Sequence, residues 1–160
     1  SQDGLVVAGT RNVFVSCWVR SPTRERLDWL IATQRTFAAA QPGRHAVISL
    51  IDPKTGREMD SATRKYAGEL GATMDATTAA RLFIVLADGF YAAMVRTAIS
   101  GVLLFSKDSA PYHVATQHES GMQWLEKAMT DAHIGMDGVR VRALLHDVLS
   151  ETDRIKSAVP

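Results

Sequence analysis

The chain is patterned around an unbroken apolar run, Leu82-Phe83-Ile84-Val85-Leu86-Ala87. A strand with one wet face alternates apolar and polar residues, whereas a strand covered on both faces does not. The run is therefore predicted to be a strand in the middle of a sheet. Asp88-Gly89 closes it, and a helix is predicted over 90–105. Along that helix Phe90, Met94, Ala98, Val102 and Phe105 form one stripe, and Tyr91, Val95, Ile99 and Leu103 form another. Arg96 is the only charge between them. One sheet face cannot cover so much apolar circumference, so part of this helix is expected to meet a second helix, a ligand or another chain.

The rest of the pattern falls on either side. Leu5 to Ala8 and Val13 to Val19 are valine-rich runs across Gly9-Thr10-Arg11-Asn12, the signature of a hairpin. In the second run Val13, Val15, Cys17 and Val19 point one way and Phe14, Ser16 and Trp18 the other, so both faces should be covered. Ser21-Pro22 reads as the N-cap and first turn of a helix, with Leu27, Leu30, Ile31, Gln34, Phe37 and Ala38 on its inner stripe. A strand over 46–51 ends at Asp52-Pro53. Asp60 or Ser61 then caps a helix carrying Ala62, Tyr66 and Leu70. After the central strand and the apolar helix comes a short strand over 112–115. Thr116-Gln117-His118-Glu119 has the form of a capping box opening the next helix. A last helix over 138–157 presents Val141, Leu144, Leu145, Val148, Thr152 and Ile155. Strands alternating with helices imply parallel crossovers, and the hairpin adds an antiparallel pair. The expected fold is α/β, with a mixed, mostly parallel sheet of about five strands and an extra C-terminal helix. Residues 1–160 read as a single domain, with 1–4 expected to be disordered or tag-derived.

Composition adds limits. At 160 residues, 46% hydrophobic and 22% charged, the chain is an ordinary globular one that can bury a core without disulfides or metals. Eighteen basic and seventeen acidic side chains leave no net field to favour nucleic acid. No stretch reaches the length of a membrane-spanning helix, so membrane insertion is not expected. With one cysteine, Cys17, and no visible signal peptide, a cytoplasmic location is expected.

Candidate chemistry is sparse. Asp52 and Asp88 both follow strands, at the edge where α/β proteins bind ligands, but capping and turn formation explain them as well. Gly89 belongs to no phosphate-cradling motif. His45, His113, His118, His133 and His146 never take a metal-ligand spacing, so neither metal nor cofactor is expected. Arg24, Arg26, Lys54, Arg57, Arg64 and Lys65 are interleaved with acids and read as a solvated face.

Three segments resemble the STAS domain, the fold of bacterial anti-sigma-factor antagonists and of sulfate-transporter tails. They are 47–60, with Asp52 ending a strand and Asp60-Ser61 opening a helix; the strand 82–87 with its following helix; and 112–125. The resemblance covers about 5–129 and omits the last helix. It implies that Ser61 falls on the phosphorylatable position of that family, although a helix cap explains this serine more cheaply. In place of the small residues usual after the aspartate, this chain has Ser61-Ala62-Thr63-Arg64. Taken together, these readings lead to a non-enzymatic bacterial module, regulatory or scaffolding, signalling through protein–protein contact. Its expected surface is Tyr91, Val95, Ile99 and Leu103, or the helix start at Ser61 with Arg64. The partner is a protein, with a two-fold homodimer through the apolar helix also expected. The alternative is a carrier or sensor holding an apolar small molecule between helix 90–105 and the sheet. An enzyme built on Asp52 and Asp88 is the third reading.

Overall fold

Five strands form one sheet in the order β1 (Leu5–Thr10), β2 (Val13–Trp18), β3 (His45–Ile51), β4 (Thr78–Val85) and β5 (Tyr112–Ala115). The first pair is antiparallel and the rest are parallel, so the expected mixed α/β architecture is present. The computed structural model describes residues 4–52, 60–87, 89–103 and 110–157, excluding the side chains of Asp75, Tyr91, Ala98, Ser100, Val102 and Leu103. The helices are α1 (Arg24–Ala39), α2 (Ser61–Ala72), α3 (Phe90–Leu103), α4 (His118–Asp131) and α5 (Gly138–Ser157).

Sequential strand order with right-handed crossovers places α1, α2 and α3 on one face of the sheet, α2 lying between the other two. The alternation in β2 sorts the two cores as expected. Val13, Val15 and Cys17 join Ile48, Leu50, Leu82 and Ile84 beneath α4 and α5, while Trp18 packs with Leu5 and Leu27 on the α1–α2 face. The latter face also holds polar groups, including a Ser16–Ser49 hydroxyl pair at 3.3 Å and Arg81, whose Nη2 donates to the Gly71 carbonyl at 2.9 Å.

The central strand is displaced from its expected span. It starts at Thr78, and Leu86 and Ala87 lie beyond it, because β3 begins at His45 and pairs that residue with Thr78. Its middle is flanked on both sides: Leu82 pairs with Ile48 and His113, and Ile84 with Leu50 and Ala115. The hairpin turn is shorter than expected, with only Arg11 and Asn12 between strands that reach Thr10 and Val13. Gly4 is tied to the sheet, its carbonyl accepting from the Val19 and Arg20 amides.

Two helix starts differ from the pattern. Thr23, not Ser21, caps α1 through its hydroxyl, and Pro22 precedes the cap. Gln117 is the N-cap of α4 and makes no side-chain cap bond, so the capping box does not form. Its glutamate is engaged elsewhere: Arg142 of α5 reaches Glu119 at 3.0 Å and Glu126 at 2.7 Å, holding the Glu119 carboxyl below its usual range.

α5 folds back onto the domain, but against β1 and β2, not against α3. Val141, Leu145, Val148 and Thr152 are buried there. The valine-rich hairpin is a broader apolar surface than a single helix, and it would otherwise face water.

Candidate functional site

All four parallel strands point the same way and each is followed by a helix. The N-termini of α1, α2, α3 and α4 therefore gather at one edge of the sheet, where α/β folds place their sites. Asp52, Ser61, Arg64 and the start of α3 all lie at this edge.

Asp60 caps α2. Its Oδ1 accepts the Thr63 amide at 2.7 Å and its Oδ2 the Thr63 hydroxyl at 3.2 Å, and the amide bond holds this carboxyl below its usual range. Ser61 is thereby relieved of capping: it is the first helical residue and its side chain is exposed, as is Arg64 one turn on. The bland explanation for Ser61 thus belongs to its neighbour.

Asp52 is engaged by α5. Lys156 Nζ lies 2.7 Å from Asp52 Oδ2, and the aspartate side chain is only 16% exposed. Asp88 lies outside the described residues. Cys17 is fully buried beneath α5. Burial pushes its thiol up, away from the reactive thiolate, while the Thr152 hydroxyl pulls the other way.

The histidines are dispersed. His45 is fully buried, 3.2 Å from Gln34 through Nε2 and edge-on to Phe37. Its Nδ1 has no hydrogen-bond partner among the described residues. Burial pushes its pKa down, with the Thr77 backbone opposing and Arg81 adding to the shift. His113 stacks on Trp124, and His118, His133 and His146 are exposed. Among the described residues, no three His, Cys, Asp or Glu side chains come together to hold a metal ion. Likewise, no helix among them is long and apolar enough to cross a membrane.

Of the six cations read as a solvated face, Lys54 and Arg57 lie outside the described residues. Arg64 and Lys65 are exposed, Lys65 lying 3.9 Å from Glu69; Arg24 sits 4.4 Å over the Tyr66 ring, whose hydroxyl donates to Asp28; and half-buried Arg26 donates to the Ser21 carbonyl at 2.7 Å.

Of the exposed large hydrophobic residues among those described, Phe90 and Met94 lie on the apolar helix, Tyr112 on β5 and Val139 on α5. Phe90 is 75% exposed and Met94 47% exposed, although Ala92 is buried. In the stripe singled out from the sequence, Val95 and Ile99 are half-buried, and the Tyr91 and Leu103 side chains lie outside the described set. Phe90 and Met94, the outward residues described on this helix, belong to the other stripe. Periodicity finds both stripes and does not rank their exposure.

A second surface was not legible in the pattern. An apolar groove of 630 Å3 opens between β1–β2 and α1, lined by Val7, Gly9, Phe14, Trp29, Thr36 and Phe37 among others. It lies at the other end of the helical layer from α3, not between α3 and the sheet. Comparison with family models, curated proteins and solved structures gives no match for this chain.

Proposed function

We propose that the chain is a non-enzymatic regulatory or scaffolding module of bacterial signalling type, working by protein–protein contact through α3 beside the N-terminus of α2. One observation carries this reading: a large aromatic and a methionine, Phe90 and Met94, are 75% and 47% exposed on a helix whose only charge is Arg96. Monomers scatter exposed apolar residues singly, and a neighbouring pair on one helix face has the make-up of a contact surface, where aromatic residues and methionine are enriched. The polar groups at the sheet edge favour the same reading, because Asp52 is ion-paired and Cys17 is held as a buried thiol. The order of strands and helices, with an exposed Ser61 at the start of α2, agrees with the resemblance to anti-sigma-factor antagonists.

The test is affinity capture on the immobilised chain, with mass spectrometry of retained proteins, repeated with a Phe90→Glu, Met94→Glu double variant. The expected result is a partner retained by the native chain and lost with the variant at unchanged circular dichroism. Equal retention by both chains would remove α3 from the contact.

A further inference from the structure

β1 is an edge strand, paired with β2 on one side only. In an antiparallel pair, alternate residues turn their N–H and C=O groups toward the partner and the others turn them away. The Val19 amide donates to the Gly4 carbonyl at 2.9 Å, and Leu5 stands opposite Trp18. The inward set is therefore 4, 6, 8 and 10, and the outward set is Leu5, Val7 and Gly9. Leu5 is fully buried, Val7 half-buried and Gly9 exposed, so the open backbone groups are those of Val7 and Gly9.

Edges of this kind are normally blunted by charge, proline or brevity. β5, the opposite edge, has only four residues and follows Pro111. β1 has six residues, Leu-Val-Val-Ala-Gly-Thr, with neither charge nor proline. On the same side as the Val7 side chain lies the groove toward α1, and none of its lining residues is charged. Gly9 brings this groove to the strand backbone: a Cβ there would stand 2.6 Å from the Phe37 ring.

The two features specify one kind of occupant. Unpaired N–H and C=O groups are partial charges whose complement is the backbone of another extended chain. The groove beside them is the complement of that chain's apolar side chains, which recur on one face every second residue, about 7 Å apart. A helix has no main-chain groups to offer, and an apolar small molecule leaves the edge unpaired. We infer that β1 and α1 form a docking site for an extended segment of a partner protein, added as a sixth strand beside β1 with alternate apolar side chains seated against Trp29, Phe37 and Phe14. Val7 and Gly9 supply its main-chain hydrogen bonds. This site is independent of the α3 face.

The probe is a blocked, fluorescein-labelled heptapeptide of alternating valine and threonine, followed by anisotropy and by amide spectra of the 15N-labelled chain. The expected result is saturable binding that moves the Val7 and Gly9 amides and the Trp29 indole. Methylating the alternate peptide nitrogens that face β1 should weaken it about tenfold, the effect of losing one to two hydrogen bonds. Val7→Pro removes an outward N–H without touching the β1–β2 ladder and should do the same. Thr36→Glu, an exposed α1 position, places a charge in the groove and should abolish binding even if the proline variant fails to fold. No binding to the native chain, equal binding of the methylated peptide, shifts confined to other residues, or competition by self-association of the chain would each overturn the assignment.

Discussion

Lys156, in the last turn of α5, places its Nζ 2.7 Å from Oδ2 of Asp52 at the end of β3, closing a contact across 104 residues. It fixes the C-terminal helix at the edge where the other helices begin. The energy of docking nevertheless lies elsewhere. Lys156 is 38% exposed, so the pair is partly screened and Lys156→Met should lower stability by less than about 1 kcal/mol. Leu145 is buried against the hairpin, and Leu145→Ala should lower it by about 2–4 kcal/mol. Urea unfolding of both variants checks the ranking; a larger loss for the lysine variant would reverse it.

His45 gives the fold a pH dependence. Burial lowers its pKa from the ordinary value of 6.5, so below that pH the unfolded chain binds a proton that the folded chain resists. Stability should therefore fall as pH drops below about 6.5 and level off once the folded pKa is passed. The groups around the ring, Gln34, Phe37, the Thr77 backbone and Arg81, include no acid to offset the charge. His45→Leu should flatten the melting temperature between about pH 7 and about pH 5 relative to the native chain. Parallel losses in the two proteins would assign the effect to other groups.

Hydrogen exchange separates the middle of the sheet from its edge. Amides of Leu82 and Ile84, in a strand paired on both sides and buried on both faces, should be among the slowest. Those of Val7 and Gly9, which face away from β2, should be among the fastest of the strand residues. Fast exchange at Leu82 would contradict the topology.

The physics that was legible in the sequence was local. An unbroken run such as Leu82 to Val85 signals burial on both faces whatever surrounds it, and the alternation of Val13, Val15 and Cys17 against Phe14, Ser16 and Trp18 sorts two cores without a structure. Helix starts are less legible, because capping is settled by single hydrogen bonds: Thr23 caps α1 in place of Ser21, and Arg142 holds the glutamate that would complete the box before α4. The docking of α5 depends on the hairpin at the far end of the chain, and the exposure of Phe90 and Met94 on how α3 meets α2. The groove was invisible for the same reason, since Val7, Trp29 and Phe37 become neighbours only when α1 crosses back over the hairpin.

Gly9 marks how closely that crossing is made. Gly9→Ala would set a methyl group 2.6 Å from a Phe37 ring already packed against Phe14 and His45. Overpacking of this kind should destabilise the chain by about 1–3 kcal/mol. Thermal melts of Gly9→Ala against Gly43→Ala, where the methyl meets nothing within 4 Å, isolate the effect. Equal melting temperatures would mean that α1 is free to move away from the hairpin.

α5 docks on β1 and β2, and the contact proposed for α3 can be made by a second copy of the chain as well as by another protein. Sedimentation at high concentration is expected to show a two-fold dimer that Ile99→Arg converts to a folded monomer, since burying the charge and its symmetry copy costs several kcal/mol per ion. A native chain that stays monomeric removes the dimer, and an unfolded variant assigns the half-buried Ile99 to the monomer core.

The most direct test of the central claim, that α3 presents its face to a protein, is photo-crosslinking from that face. A photoreactive phenylalanine analogue replaces Met94, whose side chain is half in solvent. The adducts formed in bacterial extract are then identified by mass spectrometry. The account predicts a dominant protein adduct that excess unlabelled chain suppresses and that the same analogue placed at exposed His146 does not form. Adducts spread over abundant proteins, identical from both positions, or formed only with small molecules would contradict it.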